Sequence, residues 1–293
     1  MKIAIIGAGY VGVGVSLLFA DTDTVCFYDI DKEKVNALRE GKSPISDPKV
    51  KQWFSLHKDH IEASTHLRDA LAYTSLVFIC IPTPLIESRK ELNTKGIEAI
   101  LTKINKLDFA KNLQIIIRST LNIDDGAKFS RLYPNLNLFY MPEFLREQFI
   151  LEDAIEPSRI VIGHRGNYDT AKWIISLFLD HANHTTETMV TSFEEAAAIK
   201  LFSNSYLAMR VAFFNEVDSL AKARHLDSWT IVHGISLDPR IGDYYNRVSD
   251  GYGGKCLPKD VVAASNELKK IGLKDNLIGA VHASNEKRKK RSK

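Results

Sequence analysis

Cysteine is scarce in this sequence. Cys26, Cys80 and Cys256 are the whole complement. They are odd in number and far apart, and no CxxC pair occurs, so neither a disulfide framework nor a zinc knuckle is indicated and no metal site is expected. A reducing, cytoplasmic compartment fits this usage best. No apolar run reaches the 18 residues that a membrane span needs. The N-terminus has no long apolar run followed by a small-residue cleavage site, so no signal peptide is expected. An excess of one charge is also missing. Lys and Arg total 39 against 36 Asp and Glu, a net charge of +3, which gives no footprint for nucleic acid or a membrane surface. What is present, 45% hydrophobic and 26% charged residues over 293 positions, predicts a packed globular chain of two ordinary domains or one large one.

Apolar runs at residues 3–6, 25–28, 76–81 and 113–117 lack strict alternation, the pattern of strands covered on both faces by helices. Helical patterns at 10–20, 32–39 and 96–104 fall between them. An α/β class with a Rossmann-like, doubly wound parallel sheet is expected. A further strand is predicted at 159–163 and a helix at 169–179. From Thr191 to Arg224 there is neither Pro nor Gly. That stretch opens on Thr191, Ser192, Glu194 and Glu195, a good helix N-terminal signal, and it is longer than a typical globular helix. It is predicted to be a spine that joins or dimerises domains, because apolar residues (Leu201, Phe202, Leu207, Val211, Phe213 and Phe214) are spread around it. The domain plan is a dinucleotide-binding domain over 1–190, an all-helical central dimerisation and catalytic region over 191–285, and a basic, solvated tail over 286–293.

Gly7-Ala8-Gly9-Tyr10-Val11-Gly12 follows the first strand and opens a helix, fitting G-x-G-x-x-G. Gly7 permits the tight turn, Gly9 lets the backbone approach a pyrophosphate, Gly12 lets the helix pack close to the sheet, and the helix N-terminus supplies partial positive charge. The second strand ends in Asp29, about 20 residues on, the spacing for a carboxylate on an adenosine ribose 2′-hydroxyl. A carboxylate there repels a 2′-phosphate, so NAD is expected rather than NADP.

Gly251-Tyr252-Gly253-Gly254-Lys255-Cys256-Leu257-Pro258-Lys259-Asp260 is the second informative stretch. Its glycines allow the backbone to close on a ligand. Pro258 suits a first helical turn, which puts Cys256 just ahead of a helix N-terminus, between Lys255 and Lys259. Both features favour a thiolate. Asp260 can accept or relay a proton. Cys26 and Cys80 lie in strand patterns and read as core residues.

These stretches, with Pro82-Thr83, Arg118-Ser119-Thr120, Pro142-Glu143-Phe144-Leu145-Arg146-Glu147, Pro157-Ser158-Arg159, Ala198-Ile199-Lys200-Leu201-Phe202-Ser203-Asn204, Arg210-Val211-Ala212-Phe213-Phe214-Asn215-Glu216 and Asp238-Pro239-Arg240-Ile241-Gly242, resemble the UDP-glucose/GDP-mannose dehydrogenase family, and within it the branch acting on UDP-glucose. The likeness runs from Met1 to about Asn285. It implies NAD-dependent oxidation of a nucleotide-sugar C6 alcohol to a carboxylate in two steps, UDP-glucose to UDP-glucuronate. Cys256 is implied as nucleophile, with Lys200 and Asn204 as oxyanion donors one helical turn apart. Asp260, Thr120 and Glu147 are implied to hold water, with Glu143 assisting. Cofactor contacts are implied at Gly7, Gly9, Tyr10, Val11, Gly12, Asp29, Lys34, Thr83, Ser119, Thr120 and Glu147. Sugar and diphosphate contacts are implied at Glu143, Phe144, Leu145, Arg146, Lys200, Asn204, Arg240, Tyr245 and Gly253, and Arg240 is implied to reach the site of a partner in a homodimer.

The sequence departs from the family at Leu121-Asn122-Ile123-Asp124, at Arg118, where Lys is common, and at Ile81, where Thr is usual. Family members continue into a C-terminal domain that supplies much of the uridine site, and its absence here reads as truncation or a split gene. The alternatives are an NAD-binding remnant or subunit without its own turnover, a site completed by a separate chain carrying the missing domain, and a dehydrogenase of another sugar such as UDP-N-acetylmannosamine or GDP-mannose.

Overall fold

In the computed structural model, which describes residues 1–182 and 186–291, the first apolar run forms strand β1 (Lys2–Ile6), buried from Ile3 onward. Helix α1 (Tyr10–Phe19) follows, then β2 (Thr24–Tyr28), α2 (Lys32–Arg39), α3 (Pro48–Leu56), β3 (Ile61–Ser64), α4 (Leu67–Leu71) and β4 (Leu76–Ile79). After a short antiparallel hairpin of β5 (Leu85–Ile86) and β6 (Glu91–Leu92), the alternation resumes. It runs through α5 (Lys95–Ile104), β7 (Gln114–Ile117), α6 (Asp125–Leu132), β8 (Asn137–Tyr140), α7 (Ile150–Ile155), β9 (Ile160–His164), α8 (Tyr168–His181) and β10 (Thr188–Ser192). The remainder is helical: α9 (Phe193–Ala223), α10 (Ser228–Ser236), α11 (Leu257–Lys270) and α12 (Leu277–Arg291).

The chain divides into two units, one of Met1–Thr83 with Asn93–Ala197 and one of Pro84–Leu92 with Ala198–Lys293. The first holds a single eight-stranded sheet in the order β10-β9-β8-β7-β4-β1-β2-β3. The neighbours from β8 through to β3 are parallel, and the strand order reverses beside β1, between β4 and β2. That switch point is where an open α/β sheet leaves a crevice for a ligand. The sheet is mostly rather than wholly parallel, because β9 pairs antiparallel to β8 and β10 runs with β9. The apolar core cluster joins β1, β2 and β4 to α1, α3 and α8, with Phe19, Phe27, Phe54, Phe78 and Phe178 meeting as aromatic pairs.

Local signals explain the ends of elements. Asp31 caps α2 by accepting from the amides of Glu33 and Lys34, and Asp47 caps α3, with Pro48 in its first turn. The spine helix α9 has 31 residues, roughly 45 Å at 1.5 Å per residue. It begins at Phe193, not at Thr191, because residues 191 and 192 still belong to β10. Ser192 accepts from the Glu195 amide at 3.1 Å and its own amide donates to the Glu195 carboxylate at 2.9 Å, a reciprocal capping box.

The second unit contains the β5–β6 hairpin besides its helices. Glu91 of the hairpin pairs with Lys270 of α11 at 2.9 Å. Tyr252, Ala208, Ala212, Val261 and Val281 form its apolar cluster. Residues 286–291, read as a basic tail, continue α12, with Lys287, Lys290 and Arg291 exposed. Arg288 is folded in, donating to Asp218 at 2.7 Å and to Ser219 at 3.1 Å on α9. Burial pushes the Asp218 carboxyl up, but Lys222, Ser228 and Arg288 more than reverse this and hold it at about 2. No helix among the described residues is long and apolar enough to cross a membrane.

Candidate functional site

The turn from β1 into α1 meets the steric demands of a dinucleotide loop. Gly7 has φ +104°, and a Cβ there would lie 2.7 Å from the Cys80 carbonyl oxygen. A Cβ on Gly12 would fall 2.1 Å from the Gly7 carbonyl oxygen, so this closure of loop onto helix is open only to glycine. A Cβ on Gly9 would meet nothing within 4 Å, which is an open approach to the start of α1. Among the described residues no side chain caps that helix, and its first turn carries no acid, leaving its amide dipoles for an anion. Asp29, just past β2, accepts from the Ala8 amide at 2.8 Å and the Asp31 amide at 3.0 Å. One carboxylate thus ties the glycine loop to the strand end, with lone pairs remaining for a ribose hydroxyl. These residues fit an NAD molecule.

The other cofactor-side candidates sit on neighbouring strand ends. Ser119, after β7, donates from its hydroxyl to the carbonyl of Ile81 at 2.7 Å, joining the ends of β7 and β4. Thr83 is buried, Thr120, Lys34 and Val11 are half-buried, and Tyr10 is exposed. The 142–147 loop folds on itself, with Glu143 buried and accepting from the Leu145 amide at 2.6 Å. Leu145 reaches α1 where Gly14 has no side chain to obstruct it. Phe144 lies under the Arg159 guanidinium, 3.8 Å from its centre. Arg146 is bound by Asp153 at 2.6 Å, and Glu147 is exposed.

In the second unit, Cys256 is the N-cap of α11 and Pro258 lies in that helix's first turn. The three thiols differ in kind. Burial pushes the Cys26 thiol up to about 11 and the Cys80 thiol up to about 12, so neither supplies thiolate near neutral pH. Cys256 is only half-buried and stands at a helix dipole that favours its anion. One turn into α11, Asp260 is fully buried (0% exposed). Its two oxygens are taken by Asn204 of α9 at 2.6 Å and by Lys259 at 2.6 Å. Lys200, one turn before Asn204 on α9, is 4% exposed. Lys200, Asn204 and Asp260 are therefore buried polar groups of one unit, and the Lys259 ammonium donates to Asp260.

The remaining candidates lie on the loop after α10. Arg240 is exposed and paired with Asp238 at 2.6 Å. Tyr245 is partly exposed, with φ +52°. A Cβ on Gly253 would meet nothing within 4 Å. Sequence reasoning missed what holds this loop. Arg210 of α9 donates to the carbonyls of Tyr244, Ile241 and Gly242 at 2.6, 3.0 and 3.0 Å. In the sequence Arg210 stands out as the head of a family-like run and as a charge among apolar neighbours, neither of which names its partners.

Changing Asp29 to Ala is expected to weaken NADH binding by about 1–2 kcal/mol, the scale of hydrogen bonds to a charged group, with wild-type protein preferring NADH to NADPH. Fluorescence titration of both nucleotides checks this, and a preference for NADPH contradicts it.

Comparison with known proteins agrees with this geometry. Residues 1–179 match the NAD binding domain of the UDP-glucose/GDP-mannose dehydrogenase family, and residues 194–287 match its central domain. The chain is 38% identical to a UDP-glucose 6-dehydrogenase of Campylobacter jejuni and 34% identical to one of Streptococcus pneumoniae. In both cases 99% of this chain is covered, with 73% and 74% of the relatives' lengths. Among solved structures, a UDP-glucose dehydrogenase from Pyrobaculum islandicum superimposes with a TM-score of 0.85 at 26% identity, over 99% of this chain and 68% of that one. The chain belongs to the UDP-glucose/GDP-mannose dehydrogenase family, and the dinucleotide its first unit is built to hold is NAD.

Proposed function

We propose that this protein oxidises UDP-glucose to UDP-glucuronate in two NAD-dependent steps through a covalent adduct on Cys256. The observation that carries the reading is the α11 N-terminus: a half-buried thiol at its cap and, one turn on, a fully buried carboxylate bonded to the helix that carries Lys200. Curated relatives named for UDP-glucose, at 38% and 34% identity, support the choice of sugar.

In this reading the C6 hydroxyl gives up its proton and its carbon gives up a hydride, producing an aldehyde. NAD, when bound, supplies the two-electron acceptor for each oxidation. The Cys256 thiolate adds to the aldehyde carbon and a C–S bond forms, giving a thiohemiacetal. Loss of a second hydride from that carbon leaves a thioester. Water then adds, the C–S bond breaks, and the carboxylate and thiolate separate. Lys200 and Asn204 act on the oxygen that carries negative charge, where a buried ammonium and amide are strongest. Asp260 is assigned to the water and proton traffic, and the family resemblance assigns Thr120 and Glu147 a like role, with Glu143 assisting. Arg240, Tyr245 and Gly253 are assigned to the sugar and diphosphate, together with Phe144, Leu145 and Arg146.

The test is stoichiometry across a panel of UDP-glucose, UDP-N-acetylmannosamine and GDP-mannose. Two NADH per UDP-glucose consumed, with the acid as product, is expected. One NADH per sugar with free aldehyde contradicts it, and inactivity on every sugar with NADH binding intact favours a binding subunit without its own turnover.

We further propose a homodimer through α9. Tyr206, Phe213 and Leu220 are exposed at a seven-residue spacing, 54%, 52% and 59%, so they form one line along the helix. Leu201 and Phe214, read from the sequence as part of that surface, are buried within the chain. Light scattering at micromolar concentration is expected to give a dimer and Phe213→Glu a monomer; a wild-type monomer contradicts the proposal.

A further inference from the structure

The backbone that leads into Cys256 is gripped by side chains with no part in the chemistry above. Asn285 of α12 is 1% exposed. Its carbonyl oxygen accepts from the Tyr252 amide at 2.7 Å, and its amide group donates to the Tyr252 carbonyl at 3.1 Å. Both backbone groups of one residue are thus satisfied by one side chain, as a neighbouring strand would satisfy them. The approach depends on Gly251, which has φ +117°. A Cβ there would stand 2.8 Å from the Asn285 oxygen and 3.0 Å from Lys289 Cγ.

The grip continues upstream. Asn215 of α9 accepts from the Ser249 amide at 2.8 Å, and Arg288 donates to the Ser249 carbonyl at 3.0 Å. Arg288 is itself fixed by Asp218 at 2.7 Å and Ser219 at 3.1 Å. The Tyr252 ring is buried in the apolar cluster of α9, α11 and α12. Beyond Tyr252 come Gly253 and Gly254, where a Cβ would meet nothing within 4 Å. Gly254 holds φ +76°, so the turn from Tyr252 to the cap of α11 is a defined one, and Tyr252 is the anchored point four residues ahead of that cap.

We infer that Asn285 is a positioning residue: by clasping Tyr252 it sets where the Cys256 sulfur stands at the N-terminus of α11. The inference rests on Cys256 being the nucleophile and assigns α12 a purpose beyond packing. An amide suits the task because it offers a donor and an acceptor side by side without adding a charge to a segment that already carries Lys255, Lys259 and Asp260.

The experiment reads the thiol directly and needs no turnover. The full chain and its Asn285→Ala and Asn285→Asp variants are alkylated with iodoacetamide between about pH 5 and 10, across the range of protein thiol pKa values, and the Cys256 peptide is quantified by mass spectrometry. NADH affinity and melting temperature are recorded alongside. In Asn285→Ala the Cys256 profile is expected to move to higher pH, so that the rate at neutral pH falls roughly tenfold, one unit of thiol titration, with NADH affinity unchanged. Asn285→Asp keeps the acceptor for Tyr252 and loses the donor, and is expected to show the same direction. A profile that coincides with wild type, or moves to lower pH, overturns the inference even where the melting temperature falls. Failure of both variants to fold also overturns it, since Asn285 would then serve stability alone. Should the nucleophile assignment fail instead, a chain without the Cys256 thiol would still form acid, a result independent of these profiles.

Discussion

Much of the second unit depends on keeping one carboxylate dry. Asp260 has no exposed surface, and an isolated carboxylate in such a place would be prohibitively costly. It is tolerable because Asn204 and Lys259 each hold an oxygen at 2.6 Å, which exchanges water for two short, charge-assisted bonds. Asn204 belongs to α9 and Lys259 to α11, so the carboxylate ties the spine helix to the helix that Cys256 caps. Removing either partner would leave a buried charge short of donors, a loss far larger than a surface ion pair represents.

The two units use different means. In the first, the site is made of backbone shape: glycines that admit a carbonyl or leave an approach open, strand ends at the switch point of the sheet, and one carboxylate bracing the loop. In the second, side chains hold irregular backbone. Arg210 gathers three carbonyls of the loop bearing Arg240 and Tyr245, and Asn285 and Arg288 hold the strand of chain ahead of Cys256. Irregular chain needs such support, since it lacks a ladder of its own backbone bonds.

That contrast explains what was legible in the sequence. The glycine loop and Asp29 announce themselves because their reasons are local, and so does the capping box at Ser192 and Glu195. The buried strands β1, β2, β4 and β7 were visible as continuous apolar runs. β3, with an exposed Glu62 in four residues, and β8, which opens on Asn137, were too short and mixed to stand out. The reversal of β9 against β8 leaves no mark on composition. The hairpin at residues 85–92 joins a unit formed mainly by residues far along the chain. Arg288 read as part of a basic tail because its partner Asp218 lies 70 positions away. Asn285 read as the end of a resemblance because a clasp on a distant backbone has no spacing to recognise. Lys259 stands out for its nearness to the thiol in sequence, but its bond to Asp260 leaves no sequence mark.

The covalent role proposed for Cys256 is tested most directly by removing its sulfur. Wild-type and Cys256→Ala proteins, supplied with UDP-glucose and NAD, are compared for UDP-glucuronate formed, with NADH binding measured in both. Acid formation is predicted to vanish in Cys256→Ala while NADH binding persists, since the dinucleotide loop lies in the other unit and covalent catalysis needs the thiolate. An undiminished yield of UDP-glucuronate from Cys256→Ala would contradict the account.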